Sequence, residues 1–421
     1  MEQEHQPGDR VIVKTIKEEL EGIILESHEQ GLILLKLSSG YNIGIKKEDI
    51  VDIEVLEQVK EKDKKTEFKP KENLPYIDII MTGGTISSRL DSKTGGVKWL
   101  TSPAELFKFY PELFKIVNIR KIEIPFMKAS ENMDYRDWKE IAKLAEKSLN
   151  DKDCQGVIVT HGTDTLHYTS AALSFFLHNL NKPVVLTYAQ RSSDRASSDA
   201  SLNLQCSAKA AISDIAEVMI VGHSSSNDDF CYAMPGVKVR KMHSSRRDAF
   251  KTINAKPFAK LFPDKIEKLS NHKIRDNNKK VKLDDSFNDR VALIKFYPGM
   301  SPEIFDFYSA RYHGLIIEAT GLGHVATTEA RNNLLPTIKK AIDNGLIICF
   351  APQTLYGRLD PYVYSPGREL LKAGVIFLED MLPEVALVKL SWVLGHSAWK
   401  DKIKEKMLEN FAGEINPRLE E

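Results

Sequence analysis

Two glycine-containing turns in the sequence place threonine hydroxyls directly after apolar runs. Thr-Gly-Gly-Thr at 82–85 follows the run 76–81, and His-Gly-Thr-Asp at 161–164 follows the run 156–160. Glycine lets the backbone turn sharply and brings peptide N–H groups close to a ligand. A hydroxyl is a poor nucleophile at neutral pH unless a base or a cation activates it. The two turns therefore indicate nucleophilic chemistry if the fold brings them together.

A candidate cation lies in the basic run 239–251, which contains Lys241. A lysine held beside Thr163 and Asp164 away from bulk water would have a pKa set by burial against the charge of the aspartate. Such a lysine could activate a hydroxyl or a water. Most isolated lysines are instead solvated, so the residues alone leave both interpretations open.

The elements that must position these residues alternate between strands and helices from residue 76 onward. Continuous apolar runs predict strands at 76–81, 156–160, 183–187, 218–221, 291–294, 315–317 and 346–350. Helices are predicted at 135–150, where Asp134 is the N-cap, at 171–177, and from a capping box at Ser102 to about Phe114. This alternation predicts an α/β fold with a largely parallel sheet covered on both faces, whose strands end at one shared edge.

The remaining segments differ in composition. Residues 1–57 contain five short strand-like runs, which predict a small all-β barrel of SH3-like size. Such a barrel either docks a partner or nucleic acid or serves stability and assembly. Residues 58–74 are charged and predict a linker. A polar stretch between 260 and 290 predicts a boundary between two lobes, 75–280 and 281–421, and the tail 401–421 predicts a charged, solvated helix.

Overall composition excludes several classes of protein. The 421 residues include 59 Lys and Arg against 59 Asp and Glu, so net charge does not indicate a nucleic-acid surface over the whole molecule. No apolar run approaches the ~20 residues of a membrane span, and the acidic start is not a signal peptide, so we expect a cytoplasmic protein. Four cysteines without CxxC spacing predict buried, reduced thiols and no structural metal.

The motifs together resemble the bacterial-type L-asparaginase/glutaminase family over residues 76 to 400. The resemblance rests on these stretches: 82–87, 161–165, Ala189–Arg191 with Ser198–Asp199 and Asn203–Leu204, and Lys241 with Ala249–Lys251. It implies an asparaginase-like two-lobe parallel-sheet core. It also implies that Thr85 is the acyl-accepting nucleophile and that Thr163, Asp164 and Lys241 form a second catalytic triad.

The same resemblance implies a substrate site. Ser130 and Glu131 would bind the α-carboxylate and α-amino groups of the substrate, and Gly84 and Gly162 would also belong to the substrate site. The backbone of the 82–85 turn and Thr163 would flank the developing oxyanion. No metal or cofactor is expected in this chain. A glutamine or an asparagine side-chain amide fits equally, since one methylene distinguishes them.

Two positions depart from the family pattern. The stretch 91–100 lacks the tyrosine that family members place shortly after the nucleophile, so the residue that activates Thr85 stays open, with Thr94 and Lys98 as candidates. His324 stands where an asparagine is usual. For His324 we favour an orienting or structural role over that of a catalytic base.

The N-terminal barrel separates the branches of the family. A barrel before an asparaginase core resembles the D subunits of archaeal glutamyl-tRNA(Gln) amidotransferases. That likeness implies a glutaminase that passes ammonia to a partner, the E subunit of the amidotransferase, which binds tRNA(Gln) and amidates its glutamate with ATP and Mg²⁺. A homodimeric core is expected. The alternatives are a free-standing L-asparaginase and a catalytically dead binding scaffold.

Overall fold

The computed structural model describes most of the chain. The described residues are 5–25, 27, 31–39, 41–58, 70–90, 97–99, 106, 108, 110–191 and 197–418. Most of the predicted linker, the Ser102 capping box and most of the stretch 91–100 lie outside these ranges. Of the helix predicted from Ser102 to about Phe114, Leu106 and Lys108 are described and are helical, whereas residues 110–112 are not helical and Leu113–Lys115 form a short 3-10 helix.

The N-terminal residues form one antiparallel sheet. Its strands are β1 (Arg10–Thr15), β2 (Glu19–Leu25), β3 (Leu32–Leu37), β4 (Asn42–Lys46) and β5 (Ile50–Glu57). The strand order is β4-β3-β2-β1-β5, and no ladder joins β4 to β5 in the part of the chain that is described. Ile45 of β4 and Val55 of β5 nevertheless pack into one cluster around Val11, so side chains close the curled sheet. The five predicted strands are confirmed.

The middle of the chain builds an eight-stranded sheet with smaller hairpins. The strands of this part of the chain, in the sheet and the hairpins together, are β6 (Tyr76–Met81), β7 (Ser88–Leu90), β8 (Val97–Trp99), β9 (Asn118–Glu123), β10 (Val157–Thr160), β11 (Leu177–His178), β12 (Val184–Thr187), β13 (Val218–His223), β14 (Cys231–Pro235), β15 (Val239–Lys241), β16 (Phe250–Thr252), β17 (Ala259–Leu261), β18 (Ile266–Lys268) and β19 (Lys282–Leu283). Its helices are α1 (Tyr135–Leu149), α2 (Leu166–Phe176) and α3 (Ala200–Ala211).

The large sheet is parallel over only part of its width. Its order is β18-β17-β14-β13-β12-β10-β6-β9. The five neighbouring strands β13, β12, β10, β6 and β9 run parallel, as predicted. Strands β14, β17 and β18 extend the sheet in antiparallel fashion. The extension was missed because β14 reads Cys-Tyr-Ala-Met-Pro, which is short and lacks β-branched residues.

Strand β6, which leads to the first glycine turn, contains one buried carboxylate. Asp78 is fully buried, and Arg120 of the neighbouring β9 donates to it with Nε at 2.9 Å and Nη2 at 2.6 Å. A buried carboxylate is tolerated when a fork of this kind satisfies both of its oxygens. The strand can therefore hold an acidic residue among isoleucines.

The helices predicted at 135–150 and 171–177 are both present, and the second begins earlier than predicted. Asp134 caps α1, accepting from the backbone N–H of Arg136 at 2.8 Å, as expected. Helix α2, however, begins at Leu166 rather than at 171. Nearly all of its residues are buried, so no polar face marks where it starts.

The rest of the chain forms a second parallel sheet with its helices, which we call the C-terminal lobe. Its elements are β20 (Val291–Lys295), α4 (Ile304–Arg311), β21 (Gly314–Ala319), α5 (Leu335–Asp343), β22 (Ile347–Pro352), α6 (Ser365–Lys372), β23 (Ile376–Phe377), α7 (Pro383–Leu394) and α8 (Ile403–Leu408). Helix α7 packs on α2, where Trp392 stacks on Phe175 with ring centroids 5.6 Å apart. One hydrophobic cluster therefore runs from the large sheet into the C-terminal lobe.

The predicted charged, solvated helix over 401–421 is confirmed only for its first part, where residues 401–408 are helical and mostly exposed. Helix α8 has six residues, and an irregular chain follows it. Glu414 returns to the core and accepts from Lys389 Nζ at 2.6 Å, with both side chains fully buried. Burial lowers the pKa of Lys389, and the charge of Glu414 opposes this shift. A buried pair between residues so far apart leaves no mark in the local sequence.

Two predictions from composition can be compared with the structure. All four cysteines are buried and free, as expected. Among the described residues, no helix has the length and apolar character needed to cross a membrane.

Candidate active site

The two glycine turns lie side by side. Strands β6 and β10 are adjacent and parallel, with Met81 opposite Thr160. Thr82 ties the strand ends together, because its Oγ1 donates to the carbonyl of Thr160 at 2.8 Å and its backbone N–H donates to the same oxygen at 3.2 Å. The prediction that both turns open at one edge of the sheet is confirmed.

Contact between the turns requires glycine at position 84. Gly84 has φ +80°, and a Cβ there would lie 2.5 Å from the carbonyl oxygen of His161 and 2.7 Å from the nitrogen of Gly162. The two backbones therefore touch. The short helical turn Thr85–Ser87 begins at the next residue, and Thr85 is partly exposed at the end of the sheet where the second turn leads to Thr163.

We expect Gly84→Ala to destabilise the fold more than the same change at Gly299. Gly299 has φ +84° and an added methyl group there would have no atom within 4 Å, so alanine meets only backbone strain, about 1–3 kcal/mol. At Gly84 the overlap with His161 adds to that strain, by about 2 kcal/mol or more. Urea denaturation measures both changes. Equal losses would show that turn contact is not what requires Gly84.

Lys241 reaches the second turn from the β15–β16 hairpin. Its Nζ donates to Thr163 Oγ1 at 2.9 Å and to Asp164 Oδ1 at 2.7 Å. The side chain of Lys241 is 12% exposed and that of Asp164 is 62% exposed. The interpretation of this lysine as part of a solvated basic run is therefore excluded. A cation within hydrogen-bond distance of a hydroxyl stabilises its ionised form, which is the arrangement that nucleophilic or water activation needs.

Ser130 lies next to the cluster formed by Thr163, Asp164 and Lys241. Its hydroxyl accepts from the backbone N–H groups of Asp164 at 3.1 Å and Thr165 at 3.4 Å, and its side chain is nearly fully buried. A Cβ at Gly162 would lie 2.9 Å from the Ser130 Cβ, so the two backbones also pack closely. Glu131 is the next residue of the same short helical turn, and it is exposed. Among the described residues, no acceptor takes the hydroxyl proton of Ser130, so this proton can be donated to a ligand.

Two histidines beneath the turns are neutral at neutral pH. His161 lies between Thr169 Oγ1, 2.9 Å from its Nε2, and the carbonyl of Gly162, 2.7 Å from its Nδ1. Burial lowers the pKa of His161 to about 4 and that of His167 to about 3. His161 therefore supports the turn by hydrogen bonding and does not carry charge into the site.

The other motif residues hold the scaffold together. Asp199 accepts from the backbone N–H groups of Gln190 at 3.0 Å and Arg191 at 2.9 Å, which closes the loop after β12. Lys251 donates to Asp248 at 2.7 Å within the hairpin that presents Lys241. Their contacts position loops and do not reach the threonines.

His324 has mainly structural contacts. Its carbonyl accepts from the backbone N–H of Thr320 at 3.0 Å and from Thr320 Oγ1 at 2.9 Å, and its ring lies 5.4 Å from that of Tyr364. Within the described ranges, no hydrogen bond joins His324 to Thr163 or Lys241. These contacts favour the orienting or structural role.

The candidates for activating Thr85 stay predictions. Thr94 lies outside the described residues, and Lys98 lies in β8, where only the backbone is described. No three His, Cys, Asp or Glu side chains among the described residues lie close enough to hold a metal ion.

Sequence reasoning missed a charged group behind the cluster. Arg240, the neighbour of Lys241, forms an ion pair with Glu384 of α7, with Nε 2.9 Å from Oε1. The one available signal was that residues alternate in direction along a strand, so Arg240 must point away from Lys241. Nothing in the sequence names Glu384 as the partner.

Comparison with known proteins identifies the family. Family models match at 5–56 (GatD N-terminal domain), 76–274 (Asparaginase, N-terminal) and 290–407 (Glutaminase/Asparaginase C-terminal domain). The D subunit of the glutamyl-tRNA(Gln) amidotransferase of Pyrococcus furiosus is 50% identical over 409 residues, which is 95% of this chain and 92% of that protein. This chain belongs to the family of glutamyl-tRNA(Gln) amidotransferase D subunits. The family member from Thermococcus kodakarensis is 48% identical, with 98% of this chain and 96% of that protein covered.

Solved structures relate the family's core to asparaginases. The thermostable L-asparaginase from Thermococcus kodakarensis superposes with a TM-score of 0.73 at 28% identity, covering 82% of this chain and 100% of that chain. L-asparaginase I from Vibrio cholerae gives 0.67 at 29% identity, covering 82% and 99%. The predicted asparaginase-like fold is confirmed, and this chain extends beyond the part that it shares with those enzymes.

Proposed function

We propose that this chain is the glutaminase component of a tRNA-dependent amidotransferase. It hydrolyses the side-chain amide of glutamine, or of asparagine, and releases ammonia for a partner that converts Glu-tRNA(Gln) to Gln-tRNA(Gln). One observation supports the chemistry above all others: Lys241 contacts both Thr163 and Asp164 at the turn that touches Gly84. The names of the curated relatives support the assignment to an amidotransferase.

In this mechanism Thr85 is the nucleophile. Its Oγ attacks the carbonyl carbon of the side-chain amide, the C–N bond breaks, and the nitrogen leaves as ammonia after it takes a proton. Water then cleaves the resulting ester and frees the acid product and Thr85. Backbone N–H groups of the first turn and the hydroxyl of Thr163 flank the oxyanion that develops on the carbonyl oxygen.

The remaining residues bind and activate. Lys241, held by Asp164, stabilises the ionised form of a hydroxyl or water that it contacts. Ser130 donates its hydroxyl proton to the α-carboxylate of the substrate, and the exposed carboxylate of Glu131 pairs with the α-ammonium group. Gly84 and Gly162 keep the backbone close enough to line the site. Amide hydrolysis by these groups uses no metal or cofactor.

The partner would carry the rest of the reaction. We propose that the E subunit of the amidotransferase binds tRNA(Gln) and uses ATP and Mg²⁺, that the core of this chain forms a homodimer, and that the complex is cytoplasmic. We also propose a division into a barrel (1–57), a linker (58–74) and lobes at 75–280 and 281–421. The balanced net charge agrees with a chain that leaves most phosphate contacts to its partner.

A free-standing L-asparaginase is the second candidate, because both solved neighbours bear that name. Ammonia release from glutamine and from asparagine, measured with and without the E subunit and tRNA(Gln), separates the candidates. We expect turnover of glutamine that rises when the partner and the tRNA are present. Full activity without them, with strong preference for asparagine, would favour the asparaginase.

The same assay tests the third alternative, a dead scaffold. A reactive glutamine analogue should label Thr85 covalently, as seen by mass spectrometry of the tryptic peptide. No ammonia release and no labelling, in the complex as well as in the isolated chain, would overturn the proposed function.

A further inference from the structure

Strand β15, which ends in Lys241, is fixed to the C-terminal lobe by two ion pairs. Lys238, just before the strand, donates from Nζ to Asp380 Oδ2 at 2.7 Å. Arg240 forms an ion pair with Glu384, with its Nε 2.9 Å from Oε1. Because side chains alternate along a strand, residues 238 and 240 point to the C-terminal lobe while Lys241 points to Thr163 and Asp164. Lys241, the proposed catalytic lysine, therefore directly follows the two residues that fix β15 to the C-terminal lobe.

The first ion pair, between Lys238 and Asp380, is buried and supported by further hydrogen bonds. Lys238 and Asp380 are both at most 1% exposed. Asp380 also accepts from the backbone N–H and from Nδ2 of Asn416, each at 2.9 Å. Buried charges with this many partners are well compensated. Lys238 and Asp380 therefore account for how the hairpin docks on the lobe.

The second pair is satisfied only in part. The side chain of Glu384 is 6% exposed, and its Oε2 is buried with no hydrogen-bond partner among the described residues. His167 Nε2 lies 3.9 Å from Oε1, and the other ring nitrogen, Nδ1, is also buried with no partner in the described part of the chain. Burial raises the pKa of Glu384, and the charge of Arg240 opposes this shift. A half-satisfied buried carboxylate costs stability, so stability alone does not explain it.

We propose that Glu384 is a positioning residue for Lys241. Glu384 holds the Arg240 guanidinium on the side of β15 opposite Lys241. This ion pair fixes the position of the strand end and therefore the position of the Lys241 ammonium group. Contacts of 2.9 Å and 2.7 Å to Thr163 and Asp164 tolerate little displacement. A shift of about 1 Å at a reacting group lowers rates by as much as about a hundredfold. This inference rests on the proposed amide hydrolysis.

Steady-state hydrolysis of glutamine by Glu384→Gln, in the full chain with its partner, tests the proposal. Glutamine keeps the shape of the side chain and loses the charge that holds Arg240. We expect kcat to fall by about tenfold or more while KM stays within about twofold, and labelling of Thr85 by the reactive glutamine analogue to slow by a similar factor. A role in folding alone would lower the melting temperature without changing kcat per folded molecule.

Glu379→Gln is the matched control. Glu379 is a carboxylate in the segment between β23 and α7, and its ion pair is with Arg358 and not with a residue of β15. We expect kcat of Glu379→Gln to stay within about twofold of the unaltered chain. Should Glu384→Gln fail to fold, Arg240→Met removes the same contact from the other side. In a double variant the loss should equal that of the larger single change, because both break one contact.

The outcomes separate this inference from the proposed function. An unaltered chain with no amide hydrolysis would overturn the function. An active unaltered chain with unchanged kcat and labelling rate in both Glu384→Gln and Arg240→Met would overturn the positioning role alone.

Discussion

Thr85→Val is expected to abolish ammonia release from glutamine and leave the fold intact. Valine replaces the hydroxyl by a methyl group of similar size, so the turn that touches the second glycine motif keeps its shape. No acyl-enzyme can form without the hydroxyl, and removal of a nucleophile typically lowers kcat by about a thousandfold or more. A coupled assay for ammonia measures the loss, and circular dichroism with thermal unfolding checks the fold.

Thr85→Ser is the control for this prediction. Serine retains the hydroxyl and lacks the methyl group that limits its rotamers, so measurable activity should remain, below that of the unaltered chain. Thr85→Val should also stop covalent labelling of the peptide that contains position 85. Near-normal ammonia release by Thr85→Val would contradict the assignment of the nucleophile.

The arrangement of the two turns was predictable because each step is local. The segments that form β6 and β10 are rich in β-branched apolar residues, with Asp78 as the one charged residue of β6. Such segments are typical of buried parallel strands, and both are followed by a glycine turn. The carboxyl ends of neighbouring parallel strands lie at the same edge of the sheet, so the residues that follow these strands lie close together there. At Gly84 the positive φ and the contact with His161 supply the physical reason for the glycine that the sequence displays.

The partner of Thr163 could not be derived in the same way. Lys241 is separated from Asp164 by 77 positions, and it arrives through a β15–β16 hairpin that composition does not mark. Only the resemblance to a known family singled it out from the other basic residues of the run. Spacing cannot reveal such contacts because they depend on how whole elements pack.

Buried charge was the main source of error. The tail looked solvated because it is rich in charged residues, yet Glu414 lies in the core against Lys389. Glu384, at the start of a largely apolar helix, resembles an ordinary charged residue in the first turn. In each case the partner that makes burial possible belongs to a distant element. Sequence patterns report local exposure and not such partners.

Lys241→Leu is expected to reduce glutamine hydrolysis by at least about a hundredfold, with a smaller change in KM than in kcat. Leucine fills the partly buried site without a charge, so Thr163 loses the cation that lies 2.9 Å from its hydroxyl. The fold should persist, because Asp164, which loses its partner, is 62% exposed and is solvated by water. Kinetics with glutamine and thermal unfolding measure both effects.

Lys251→Leu is the matched control for Lys241, since Lys251 lies on the paired strand β16 and contacts Asp248 and the carbonyl of Ser224, not the threonines. Its kcat should stay within a few-fold of the unaltered chain. The split between constants then decides what Lys241 does. A fall in kcat places the lysine in the chemical step, whereas a rise in KM at constant kcat would assign it to substrate binding and contradict its role in activating a hydroxyl or water.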